Sequence, residues 1–113
     1  MNLENKKCVP CEGTEEPLTK KESEKFLEEI DNWKIIDNKL IEKDFSFRNF
    51  KEAMSFVNKV ADIAELEGHH PNIYIYDYKN VKVSLSTHAI KGLSENDFIV
   101  AAKIDNIKRW LIL

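Results

Sequence analysis

Three histidines, His69, His70 and His88, are the only imidazoles in a chain of 113 residues. Imidazole is the side chain best suited to moving protons near neutral pH, with an unperturbed pKa of about 6.5. A reaction that protonates a leaving group while removing another proton needs two such groups around one substrate. His69 and His70 stand between a helical stretch and a strand, and Pro71 holds His70 out of helical geometry. His88 follows a second strand, in which Val81, Val83, Leu85 and Thr87 share one face and Lys82, Ser84, Ser86 and His88 share the other. If the two strands form a hairpin, the start of one lies beside the end of the other, and the three histidines meet. Two other readings stand beside this one. A histidine at a helix end can simply cap it or pair with a carboxylate. Three histidines can also hold zinc, although adjacent residues rarely aim both side chains at one metal.

The elements that must position these residues are legible from period and punctuation. Three capping boxes mark helix starts: Thr19 with Glu22, Asn49 with Glu52, and Ser94 with Asp97. The first helix is expected to end near Asp31, and the third to run close to the C-terminus. In the second, Phe50, Ala53, Met54, Val57, Val60, Ala61 and Ala64 recur at helical spacing, with Phe56 and Ile63 beside the stripe, and Gly68 supplies the stop. The third carries Phe98, Ala101, Ala102, Ile104, Ile107, Trp110 and Leu111. Between helices the period falls to two. Trp33 to Ile36 and Leu40 to Phe47 predict a hairpin around Asp37-Asn38. Ile73 to Tyr78 and Val81 to Thr87 predict another around Lys79-Asn80. The order α-β-β-α-β-β-α implies an α+β fold, a four-stranded antiparallel sheet with helices packed on one face. Residues 1–17, punctuated by Pro10, Gly13 and Pro17, are expected to form a mobile arm, and residues 18–113 the domain.

Composition narrows the function classes. Hydrophobic residues at 42% allow one real core and charged residues at 33% cover it, which excludes disordered, collagen-like and disulfide-scaffold chains. A net charge of -3, with lysines spread among acids, offers no basic face for nucleic acid. Neither a signal-peptide core nor an apolar run long enough for a membrane helix is visible, so a soluble, cytoplasmic protein is expected. Cys8 and Cys11 form a C-V-P-C pair without the second pair of a structural zinc site, and without the flanking strand and helix of a thioredoxin-like one. They read as free thiols, with a redox or partial metal role as the alternative.

Several separated segments resemble one family. Glu65-Leu66-Glu67-Gly68-His69-His70-Pro71, then Tyr78, Ser86-Thr87-His88, and Gly92-Leu93-Ser94 through Asp97 look like the signature of the pterin-4a-carbinolamine dehydratases. The resemblance extends through Trp33 and the Asn49 helix to roughly residues 17–110, and the cysteine arm with Pro17-Leu18 is similar to microbial members. It implies a dimer joined sheet edge to sheet edge, often paired into a tetramer. It implies dehydration of a 4a-hydroxy tetrahydropterin, released by aromatic amino-acid hydroxylases, to quinonoid dihydropterin and water, without metal or organic cofactor. By position, His69 and His88 match acid/base histidines, His70 matches one that holds the pterin, and Glu65 an acidic active-site residue. Gly68, Ser86, Thr87 and His88 match pterin-contacting segments, and Asp97 and Trp33 fall on signature positions. Without the resemblance, Asp97 is a capping residue and Trp33 a core aromatic. The stretch from Pro71 to Tyr78 is one residue longer than in many members, which predicts a loop or bulge there. Animal members also act as dimerisation partners of a transcription factor, so a binding module acting on a protein partner is the competing function.

Overall fold

The computed structural model describes residues 2–112, and side chains as far as Ile107. Its elements run α1 (Lys20–Leu27), β1 (Lys34–Ile36), β2 (Leu40–Ser46), α2 (Phe50–Glu67), β3 (Asn72–Tyr76), β4 (Asn80–Leu85) and α3 (Glu95–Ile112). The four strands form one antiparallel sheet in the order β1-β2-β4-β3. This is the α+β order expected from the sequence.

Local chemistry explains the boundaries. At α1 both halves of the capping box form: the Glu22 N–H donates to the Thr19 hydroxyl at 3.2 Å, and the Thr19 N–H to the Glu22 carboxylate at 2.8 Å. At α2 the Asn49 side chain accepts the Glu52 N–H at 2.8 Å, while the Glu52 carboxylate turns to the backbone and guanidinium of Arg48. Gly68 closes α2 in the left-handed conformation, φ 63°, where a glycine carries no steric cost. Helix α1 stops at Leu27, short of the expected Asp31.

Both hairpins turn on two residues of positive φ, the geometry that matches the twist of paired strands. The first uses Asp37 and Asn38 as expected, φ 52° and 53°. The second uses Asp77 and Tyr78, φ 47° and 52°, and not Lys79-Asn80. Asn80 pairs with Tyr76 in the ladder, and its side chain accepts the Ser46 hydroxyl at 2.8 Å, so the residue that looks like the turn former serves the sheet. Tyr78 takes a conformation that tyrosine rarely adopts, which no propensity rule anticipates. From Asn72↔Ser84 to Tyr76↔Asn80 the register of β3 and β4 is unbroken, so the expected bulge is absent from that ladder.

The core lies between one sheet face and the helices. Ile41, Phe45, Val81, Val83 and Leu85 meet Ala53, Phe56 and Val60 of α2, and Phe98, Ala101 and Ile104 of α3. The centre of the α2 face is rotated from the expected stripe. Phe56 is fully buried, with its ring 4.7 Å from Phe45 and 5.0 Å from Phe47, whereas Phe50 is 53% exposed. The side chains of Trp110 and Leu111 lie outside the described residues. No helix among the described residues is long and apolar enough to cross a membrane.

The segment expected to be a mobile arm lies against this domain in its described part. Leu3 is buried in the main core cluster and Cys8 is buried beside α3. Pro17 passes so close to Gly92 that a Cβ there would stand 2.8 Å from the proline ring, and the Leu18 N–H donates to the Leu93 carbonyl at 2.8 Å.

Candidate active site

Three element ends converge on one side of the sheet. Because Asn72 pairs with Ser84, the start of β3 lies beside the end of β4. Residues 69 and 70 therefore arrive from the end of α2 next to residues 86 to 88. After β4 the chain makes a tight return, Thr87 and Gly92 exchanging backbone hydrogen bonds of 2.8 and 3.4 Å, and His88 sits in the short helical turn between them. The return delivers Ser94 and the first turn of α3 to the same place.

Asp97, fully buried, organises the cluster. One carboxylate oxygen meets His69 Nε2 at 2.6 Å. The other accepts the Thr87 hydroxyl at 2.8 Å and the Ser94 N–H at 3.0 Å. Since the Thr87 proton points to Asp97, the Ser94 hydroxyl, 2.7 Å away, donates to Thr87. A carboxylate surrounded by donors calls for a proton on His69 Nε2, so the neutral ring presents the lone pair of Nδ1 for chemistry. The His69 side chain is 13% exposed. His70 pairs through Nε2 with Glu65 at the surface, and His88 is exposed.

These residues border an open cleft of about 610 Å³, within the range of small-molecule sites. His69, His70 and His88 all line it, with Glu65, Gly68, Ser86 and Thr87. Asp97 stands one layer behind, holding His69. Trp33 is elsewhere: it is 4% exposed, its indole N–H donates to Asp105 at 3.0 and 3.1 Å, and it does not line the cleft. Among the described residues, no group of three or more His, Cys, Asp and Glu is placed to hold a metal ion.

Residues 16–107 match the family description "Pterin 4 alpha carbinolamine dehydratase". The chain belongs to this family. A relative carrying the dehydratase name in Alkaliphilus metalliredigens (strain QYMF) is 44% identical over 105 residues, 92% of this chain and 94% of its own. Another, in Nitrosospira multiformis (strain ATCC 25196 / NCIMB 11849 / C 71), is 47% identical over 94% of this chain and 92% of its own. The crystal structure of a transcriptional coactivator/pterin dehydratase from Brucella melitensis superposes with a TM-score of 0.75 at 34% identity, over 80% of this chain and 97% of that one. A pterin dehydratase-like protein identified as a RuBisCO assembly factor shares the fold, with a TM-score of 0.57 at 23% identity over 67% of this chain and 88% of its own.

Two elements of this cleft escape a reading for histidines. The cleft wall includes Lys7, Cys8, Val9, Pro10 and Cys11 from the N-terminal segment. Glu67 and Asn96 fasten that segment. The Glu67 carboxylate accepts the Cys8 N–H at 2.8 Å and pairs with Lys103 at 2.9 Å. Burial acts to raise its pKa, but the Cys8 N–H and Lys103 outweigh burial and hold it below the ordinary carboxylate range. Its contribution to stability is therefore present above the unfolded pKa and is lost as pH falls through the lower folded value. Glu67 had one visible signal: it continues the Ala53, Phe56, Val60, Ala64 face of α2, an acid on an apolar stripe.

Proposed function

We propose that this protein dehydrates a 4a-hydroxy tetrahydropterin to the quinonoid dihydropterin and water by histidine acid/base catalysis. The observation that carries the proposal is the buried Asp97 bonded to His69 on a cleft also lined by His70 and His88. In the reaction the carbon 4a–oxygen bond breaks and the oxygen leaves as water after protonation. The neighbouring ring nitrogen gives up its proton, and the freed electron pair forms the new double bond to carbon 4a. His69, oriented by Asp97, is suited to take the nitrogen proton through Nδ1. His88 is suited to donate to the departing hydroxyl. His70, steadied by Glu65, and the segments at Gly68, Ser86 and Thr87 hold the pterin in place for both transfers. In this reading the substrate is supplied in the cytoplasm by an aromatic amino-acid hydroxylase. The test is an assay with synthetic 4a-hydroxy tetrahydropterin in the presence of a chelator. Dehydration well above the spontaneous rate is expected, and the spontaneous rate alone would remove the proposal.

The same reading includes a homo-oligomer, a dimer or a tetramer. Its support is the open edges of β1 and β3, together with Phe50 at 53% and Leu66 at 74% exposure on α2. Phe56 does not add to this, since it is spent in the chain's own core. Light scattering at micromolar concentration is expected to report at least two copies, and a monomer would contradict it.

A further inference from the structure

The N-terminal segment from Lys7 to Cys11 is fastened on both sides of the Asp97–His69 pair. On α3, Asn96 grips the backbone of Val9: its side-chain oxygen accepts the Val9 N–H at 3.1 Å, and its amide donates to the Val9 carbonyl at 2.7 Å. Asn96 directly precedes Asp97. On α2, Glu67 takes the Cys8 N–H two residues before His69, and Lys7 reaches the Leu66 carbonyl at 3.2 Å. Apart from the Lys7 ammonium, these contacts use backbone groups of the arm, so they fix its path and leave the side chains of Val9 and Pro10 free. Val9 is 68% exposed and Pro10 is exposed at the cleft.

The two sides of the cleft differ in chemistry. His69, His70, Ser86, Thr87 and His88 offer polar groups. Val9 and Pro10 offer apolar surface. A flat heterocycle with donors and acceptors around its edge and an apolar face needs both kinds of wall. We propose that the arm is a substrate-binding wall, on which Val9 and Pro10 cover a face of the pterin ring while Asn96 and Glu67 hold the arm in position. This deepens the dehydratase reading and rests on it. It gives the C-V-P-C segment a role that needs no redox chemistry. Burial, and then the neighbouring Glu67, push the Cys8 thiol up to about 12, so it stays protonated at neutral pH and donates weakly to the Asn96 carbonyl at 3.6 Å. Cys8 thereby becomes a reporter: alkylation at this position measures release of the arm.

The test compares the wild type with Val9→Ser/Pro10→Ser and with Asn96→Ala, all as full chains. Three quantities are measured: KM and kcat for dehydration, Kd for the stable pterin 7,8-dihydrobiopterin, and the alkylation rate of Cys8. Both positions of the double variant are exposed, so it should fold and keep Cys8 protected. Its KM and Kd are expected to rise about 10-fold, as loss of a small apolar contact implies, with kcat within about 2-fold of wild type. Asn96→Ala is expected to raise KM and Kd similarly and to expose Cys8 to alkylation. Unchanged KM and Kd in the double variant would overturn the proposal, leaving the arm as packing alone. A fall in kcat at constant KM would overturn it too, since the arm would then act on proton transfer. A wild type that binds 7,8-dihydrobiopterin without dehydrating its substrate would remove the dehydratase reading, and the Kd changes would still decide the wall. A wild type that neither binds nor dehydrates removes both.

Discussion

Replacing His69 and His88 together by alanine is expected to lower the maximal dehydration rate by about 10²–10⁴-fold while the protein stays folded. The two rings serve opposite halves of one reaction, so each single variant should lose a large part of that factor. Water can substitute for one missing group more readily than for two, which makes the double variant the stricter test. Both residues lie at element ends and outside the main core, so alanine there opens no large cavity. Asp97→Asn separates orientation from proton transfer. It keeps the size and one acceptor for the Ser94 N–H or the Thr87 hydroxyl, but removes the charge that selects the His69 tautomer. A lower kcat with little change in KM is expected from it, whereas His70→Ala should chiefly raise KM. Near wild-type turnover in a folded, oligomeric His69→Ala/His88→Ala protein would refute the catalytic assignment and favour a binding module.

The meeting of the histidines is legible in the sequence because it depends only on strand pairing. A hairpin that starts just after Pro71 and ends near Thr87 must bring residues 69, 70 and 88 together, whatever its turn. Moving the second turn from Lys79-Asn80 to Asp77-Tyr78 slides the pairing by three residues, so that Asn72 faces Ser84, yet it keeps the same two strand ends side by side at the open end of the hairpin. The α2 face departs from expectation for a different reason. Helical periodicity marks a broad apolar arc of which only part can face the sheet, and the ring contacts of Phe56 with Phe45 and Phe47 select that part. Polar residues that act through the backbone are least legible. Asn96 grips Val9 across 87 residues of chain, a pairing that no local pattern encodes. Trp33 poses the converse question. Its place on a family signature implies the pterin site, while its indole N–H is committed to Asp105.

That commitment leads to the largest stability effect expected here: Asp105→Ala should destabilise the fold by roughly 3–5 kcal/mol. Asp105 is 7% exposed and holds three donors: the Trp33 indole N–H, the Lys43 ammonium at 2.8 Å and the Asp31 N–H at 3.2 Å. The Lys43 side chain is 14% exposed and lies 4.9 Å from the centre of the Phe45 ring, so its charge has little water to return to. Removing the carboxylate leaves a nearly buried cation and the buried Trp33 indole N–H without this acceptor, which costs more than the pair contributes when whole. Against a typical total of about 5–15 kcal/mol, such a loss is a large fraction of the stability. Lys43→Met should cost less, because Asp105 keeps two N–H donors and the methionine fills the space beside Phe45. In Lys43→Met/Asp105→Asn the asparagine still accepts from Trp33 and no unpaired charge remains, so the combined loss should fall below the sum of the two single losses. Denaturant unfolding of the three variants measures this, and an Asp105→Ala protein within about 0.5 kcal/mol of wild type would show that the pair is not stabilising. The same protein, assayed below its melting point, decides what Trp33 does. If the indole only joins β1 to α3, KM for the carbinolamine stays at the wild-type value; a raised KM in a folded Asp105→Ala protein would return Trp33 to the pterin site.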